Sequence, residues 1–195
     1  MLAASLLLLM VPGVGLRVVD GNLCDPALPN NSMVGDGQYV RAMPGCKVKL
    51  TAIGYSWNEK ILLFDSGVIK RNLPTMLLRN RLPLMGVELV SGTIDVSSET
   101  GCSEMSVEGA GITISAEGTH YQVERGKFNG SKDLQTRITV YDGNVSIQGA
   151  HQALPVVIKE LERYTVPDPI PPGWKPVLKM ITSAEREEHR REVHL

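Results

Sequence analysis

Aromatic residues are scarce in this chain of 195 residues, which holds two Trp, five Tyr and two Phe. Any core must therefore be built from Val, Ile, Leu and Met. Charge of one sign is also missing: 20 Lys and Arg stand against 21 Asp and Glu, a formal net charge of −1. A nucleic-acid surface normally announces itself as a basic patch, so that class of partner is excluded. The sequence has no G-x-S-x-G elbow, no H-E-x-x-H, no P-loop and no G-x-G-x-x-G between a strand and a helix. Its four histidines are scattered. His120 falls inside a strand pattern and is expected to face outward, with no orienting carboxylate and nucleophile beside it in sequence. His189 and His194 do not share a helix face. Asp65, Asp95 and Asp142 lie at or near expected turns, where Asp is common for backbone reasons alone. These observations point away from an enzyme, and no cofactor or metal is expected.

Long apolar runs are absent as well. The longest, MLAASLLLLMVPGVGL over residues 1–16, is shorter than the roughly 20 residues a membrane-spanning helix needs. It ends in small residues, with Gly13 and Gly15 at the −3 and −1 positions of a cleavage site, and reads as a secretory signal. No Lys or Arg precedes its apolar core, so a short uncleaved anchor giving membrane association is the alternative. Export places Cys24, Cys46 and Cys102 in an oxidising compartment, periplasmic or extracellular, where disulfides persist. A Cys24–Cys46 bridge would staple the N-terminal loop to the first strand, worth roughly 3 kcal/mol in the chain-entropy model. Pairing of Cys102 with either of the others is the alternative. Scattered as they are, the three lack zinc-site spacing.

What the sequence does contain is period-two alternation. From 107 to 148, Ile112 and Ile114, Tyr121 and Val123, Ile138 and Val140, and Val145 and Ile147 each alternate with polar residues. Four strands follow, with one face on a core and one in water. Glu117-Gly118 and Asp142-Gly143 separate them, and Asp-Gly between alternating runs is a strong hairpin signal. Upstream, 38–41 and 47–53 read as strands, 61–64 and 68–70 as a hairpin across Asp65-Ser66-Gly67, and 87–90 and 93–97 as a hairpin around Ser91-Gly92. A further strand is expected over 76–78, between Pro74 and Pro83.

The run from Ile112 through Gly118-Thr119 to Val123, with Thr136 to Ile147 (TRITVYDGNVSI), resembles the core of the FecR-type domain. Residues 62–69 (LLFDSGVI) and 87–96 (VELVSGTIDV) are similar to that domain's earlier hairpins. The resemblance covers roughly residues 36 to 150. It implies a β domain of the cell envelope that contacts protein partners. In the best-known members it relays a signal from an outer-membrane transducer to an anti-sigma segment, and that full relay is not carried over here.

After residue 158 the pattern changes. Residues 159–163 read as a short helical turn, and five prolines within 166–176 read as a polyproline strap pinned by Trp174. The last stretch, 182–195, is a helix: Thr182 and Glu185 form a capping box, and Arg190 and Arg191 sit in the final turns. It has almost no apolar residues and is expected to be a solvated tail.

The expected organisation is a leader at 1–16, a loop segment at 17–37, one all-β domain at 38–158, a Pro-rich connector at 159–181 and a charged helix at 182–195. The domain is expected to be a single antiparallel β-sandwich or compact β-roll of short hairpins, ten to twelve strands in all. Function is expected to be protein interaction or signalling with an envelope partner. The variable loop with Arg125, Lys127, Phe128 and Asn129 is the candidate contact, because recognition concentrates on loops. Glycan or cell-wall binding, stacking on Tyr55, Trp57 and Trp174, is the alternative. The sequence leaves the oligomeric state open.

Overall fold

In the computed structural model, the structure describes residues 15–20, 29–53, 58–64, 66–72, 86–98, 102–107, 111–128, 130–149, 155–171, 174–175 and 177–193. In chain order the elements are β1 (Gly15–Asp20), β2 (Met33–Val34), β3 (Tyr39–Arg41), β4 (Val48–Ile53), β5 (Asn58–Leu63), β6 (Val68–Asn72), β7 (Gly86–Ser98) and β8 (Cys102–Val107). They continue with β9 (Ile112–Glu117), β10 (His120–Gly126), β11 (Leu134–Asp142), β12 (Asn144–Gly149), β13 (Val156–Lys159), β14 (Glu162–Asp168), β15 (Val177–Met180) and one helix, α1 (Ser183–Val193). The class is all-β, as the alternation requires. The expected strand over 76–78 lies outside the described residues.

The strands form two sheets packed as a sandwich. The front sheet runs β2-β1-β4-β5-β7-β10-β11-β14-β15. The back sheet runs β3-β6-β7-β8-β9-β12-β13. All these pairings are antiparallel except β7 with β8. The alternating apolar residues meet between the sheets: Leu50, Leu63, Ile94, Tyr121, Val123, Ile138, Val140 and Tyr164 from the front, and Val40, Ile69, Leu89, Ile114, Ile147 and Ile158 from the back, each 1% exposed or less. Full burial of such a side chain contributes about 1.5–3 kcal/mol. Tyr121 and Tyr164 fill the volume that the shortage of aromatics would otherwise leave to aliphatics.

β7 belongs to both sheets. Its first half pairs with β6 and β8 at the back, and its second half with β5 and β10 at the front. Strands that switch sheets need a bend, and here it falls at Gly92, with φ +82°. A Cβ on Gly92 would lie 2.4 Å from Cα of Gly67, so the two backbones cross in near contact. The expected hairpin at 87–97 is therefore one strand of 13 residues.

The other expected hairpins are also sheet crossings. β5 and β6, β9 and β10, and β11 and β12 follow one another in sequence, yet the first member of each pair lies in one sheet and the second in the other. Among the described residues each crossing holds one of positive φ: Ser66, Gly118 and Gly143, joined by Leu161 between β13 and β14. A left-handed residue satisfies a hairpin turn and a sheet crossing alike, which is why the sequence pattern does not separate them.

The domain is wider than expected at both ends. β1 runs from the end of the expected leader into the segment 17–37, which also holds β2, and Leu16, Val18 and Val34 of these strands are core residues at 1% exposure or less. The region 159–181 contains β14 and β15, and Tyr164 and Val166 of β14 are buried beside β11. Residues 160–161 form a turn, without a helical segment. Between β14 and β15 the described residues 169–171 and 174–175 join no strand. Trp174 among them is half-buried and meets Tyr164 edge-on, with ring centroids 6.0 Å apart.

Helix α1 is capped as expected. The Thr182 backbone N–H donates to Glu185 Oε2 at 2.8 Å, and the Glu185 N–H donates to Thr182 Oγ1 at 3.2 Å. The helix is docked, however, against the outer face of the front sheet. Arg163 of β14 pairs with Glu185 at 3.3 Å, Arg186 pairs with Glu160 at 2.9 Å, and Lys47 Nζ donates to the Glu192 carbonyl at 2.7 Å. Polar contacts do what an apolar stripe would ordinarily do.

Three expected outcomes follow from this packing. Gly92→Ala should cost about 3 kcal/mol or more, because left-handed strain of order 1–3 kcal/mol is compounded by a backbone clash. Gly37→Ala, at φ +72° with nothing within 4 Å, should cost only about 1–2 kcal/mol; equal losses in urea midpoint would show that the crossing is not tight. Thr182→Ala should weaken α1 by about 0.5–2 kcal/mol, read as faster amide exchange over 183–193 with β-strand amides unchanged. The Thr182 backbone and hydroxyl bonds, then Arg163, hold the Glu185 carboxyl below its ordinary 4.5. A depressed carboxyl stabilises above its unfolded pKa and loses that contribution as pH falls through its folded one. NMR shifts of α1 should therefore move toward coil as pH drops below about 4.5, and less so in Glu185→Gln.

Candidate functional site

Where α1 meets the front sheet, three chemically capable side chains converge. Asp95 lies in β7 between the core residues Ile94 and Val96, so strand alternation aims it at the outer face. His120 opens β10. Across from it the β10–β11 register shifts, with His120 opposite Asp142 and Tyr121 opposite Val140, which leaves Tyr141 as an extra residue. Such a bulge re-aims a side chain, and Tyr141 lies flat against His189 of α1, with ring centroids 3.7 Å apart and planes 3° from parallel. Tyr141 also touches the His120 ring at 5.4 Å.

The Asp95 carboxylate lies between the two imidazoles. Oδ1 is 2.9 Å from His120 Nε2, and Oδ2 is 2.7 Å from His189 Nε2. The second approach is close but off the line of a hydrogen bond, and Oδ2 has no aligned donor. The two Nε2 atoms are 3.4 Å apart. Asp95 is 2% exposed and His189 5%. Burial pushes the Asp95 carboxyl up, but the two adjacent imidazoles and their charge outweigh it and hold the group below its ordinary value. Burial also raises the Tyr141 phenol well above its ordinary range, so it stays protonated. A cleft of about 60 Å³ opens beside the cluster, lined by His120, Tyr141, Asp142, Arg186, His189 and Arg190. Small-molecule sites typically run to about 300–1,000 Å³, so this cleft holds water-sized guests.

The structure corrects the reading of these residues as separate. Asp95 is a buried mid-strand residue, His120 is covered by the helix, and α1 is no free tail. The partner of His189 comes from the sheet, 69 residues away in sequence, and not from its own helix.

The other candidates lie elsewhere. Arg125 is a strand residue whose side chain is 8% exposed, bonded to Asp168 at 2.8 Å and reaching Thr136 Oγ1 at 3.5 Å. It ties β10 to β14, and the variable loop begins only at Lys127, which is exposed. Phe128 is half-buried beneath the Arg137 guanidinium, 3.8 Å from its ring centroid. Cys46 is disulfide-bonded. Cys24, Tyr55, Trp57 and Asn129 lie outside the described residues. Cys102 opens β8.

No protein-family model matches the sequence, and no curated protein matches it. In fold the chain is similar to two crystal structures, at 1.65 Å and 2.50 Å resolution, each described as a putative anti-sigma factor from Parabacteroides distasonis ATCC 8503. The TM-scores are 0.52 and 0.53, with 12% sequence identity in both comparisons. The match covers 73% of this chain and 59% of those chains, so this chain spans less than two thirds of their length, and the likeness is one of fold.

Proposed function

We propose that this chain is an exported, non-enzymatic FecR-like module that works in the cell envelope by binding an extended segment of a protein partner, in a regulatory or signalling role. The observation that carries the reading is the edge of the front sheet. β15 closes the strand order, and all four of its residues are exposed. Val177 is 64% exposed, Leu178 46% and Met180 62%. Proteins ordinarily blunt such an edge with charge, proline or a bulge; here Lys179 is the single charge in the strand. Among the described residues no further strand pairs with β15 on its outer side, and such an apolar edge is suited to accept one, with main-chain bonds giving affinity and alternate side chains giving choice of partner.

Three further observations support the reading. The solved structures of similar fold are described as putative anti-sigma factors, proteins whose work is regulation through a protein partner. The bonded state of Cys46 suits an oxidising compartment, in keeping with the leader-like residues 1–16. The cleft beside Asp95 is too small for an ordinary organic substrate.

The test is capture from envelope extract with the tag-free chain and with a Val177→Lys, Met180→Lys double variant. Surface changes of this kind should alter stability by no more than about 0.5 kcal/mol each, while capture of the partner should fall at least about tenfold. Undiminished capture by the variant would remove β15 as the docking edge. No specific partner for the unaltered chain would count against the module itself.

A further inference from the structure

We propose that Asp95, His120 and His189 form a binding site for one divalent transition-metal ion, zinc by its ligand chemistry, which clasps helix α1 to the front sheet. Three donor atoms of the types zinc prefers, two imidazole nitrogens and a carboxylate oxygen, lie within 4.8 Å of one another. A tetrahedral ion with bonds of about 2.0–2.1 Å sets its ligand atoms roughly 3.3–3.4 Å apart. The two Nε2 atoms already stand at 3.4 Å, and the carboxylate need only draw back by about half an ångström from each imidazole.

The direction of the groups agrees with their spacing. Two imidazoles that merely donated to Asp95 would each line up an N–H on a carboxylate oxygen. Oδ2 has His189 Nε2 at 2.7 Å and still no aligned donor. His120 Nε2, meanwhile, is in hydrogen-bond geometry with both Asp95 Oδ1 and His189 Nε2; one ring nitrogen cannot serve both with a single proton, whereas an ion held among the three side chains satisfies them all. Tyr141 restrains the His189 ring plane by stacking at 3.7 Å. The adjoining cleft of about 60 Å³ leaves a fourth position for water. Arg186 and Arg190 border that cleft and oppose a cation there, but Arg186 is drawn to Glu160 at 2.9 Å.

The site also accounts for a helix that docks without an apolar face. His189 is the buried residue of α1, and a metal bond would hold it more firmly than its surface ion pairs, which are individually weak. The reading is independent of the partner proposed for β15.

The test uses the full, tag-free chain, stripped with a chelator and titrated with zinc chloride by calorimetry. One ion per chain should bind with a dissociation constant of about 1 μM or tighter. Asp95→Asn and His189→Ala should each weaken binding at least about tenfold, with the β-sheet circular dichroism retained; His120→Gln serves if either variant fails to fold. Cobalt in place of zinc should give the visible absorption of a tetrahedral site, lost in the same variants. Zinc should also slow amide exchange over 183–193. Absence of binding tighter than about 1 mM, or equal affinity in the folded variants, would overturn the site.

Discussion

At the crossing of Gly67 and Gly92, two backbones pass so closely that a single methyl group on Gly92 would lie 2.4 Å from a Cα atom. That contact lets β7 leave the back sheet and enter the front one without breaking its hydrogen-bond ladder, since Ser91 still pairs behind and Thr93 in front. Everything else is placed relative to it. β6 and β8 flank the first half, β5 and β10 the second, and the core residues Leu89 and Ile94 sit on either side of the bend. The same bend puts Asp95, three residues on, at the outer face where α1 lies.

Most strands between residues 38 and 148 were legible in the sequence, and their partners were not. Alternation of Ile112 with Ile114, or Ile138 with Val140, reports that one face is buried; it does not report which sheet the strand joins. Gly118 and Gly143 signal a left-handed residue, and both a hairpin and a crossing supply one. Gly92 inside a strand reads as a turn for the same reason, which divided one long strand into two. β14 was hidden by composition: Tyr164 and Val166 alternate correctly, but Pro167 and Pro169 mark the segment as polyproline.

The cluster of Asp95, His120 and His189 was illegible for a different reason. Its members come from β7, β10 and α1, separated by 25 and 69 residues, and no spacing rule joins them. One signal was available. A helix as polar as residues 183–193, with a histidine near its middle, gains nothing from apolar docking and needs a specific polar partner if it is to dock. The capping box and the charge order of the helix could be read directly because they depend on neighbours three or four residues away. The site depends on topology, which local pattern does not carry.

The position of β7 also bears on the order in which the molecule can assemble. Both sheets wait for residues 86–98: β5 and β6 have their remaining partner in that one strand, as does β10 on its β5-facing side. In a chain that emerges from its N-terminus, β5 and β6 therefore hold open edges until β7 arrives, and open edges recruit other chains. Contacts between distant segments also slow closure. Until residues 86–98 take their place, the strands that precede them keep an edge of backbone donors and acceptors available for pairing.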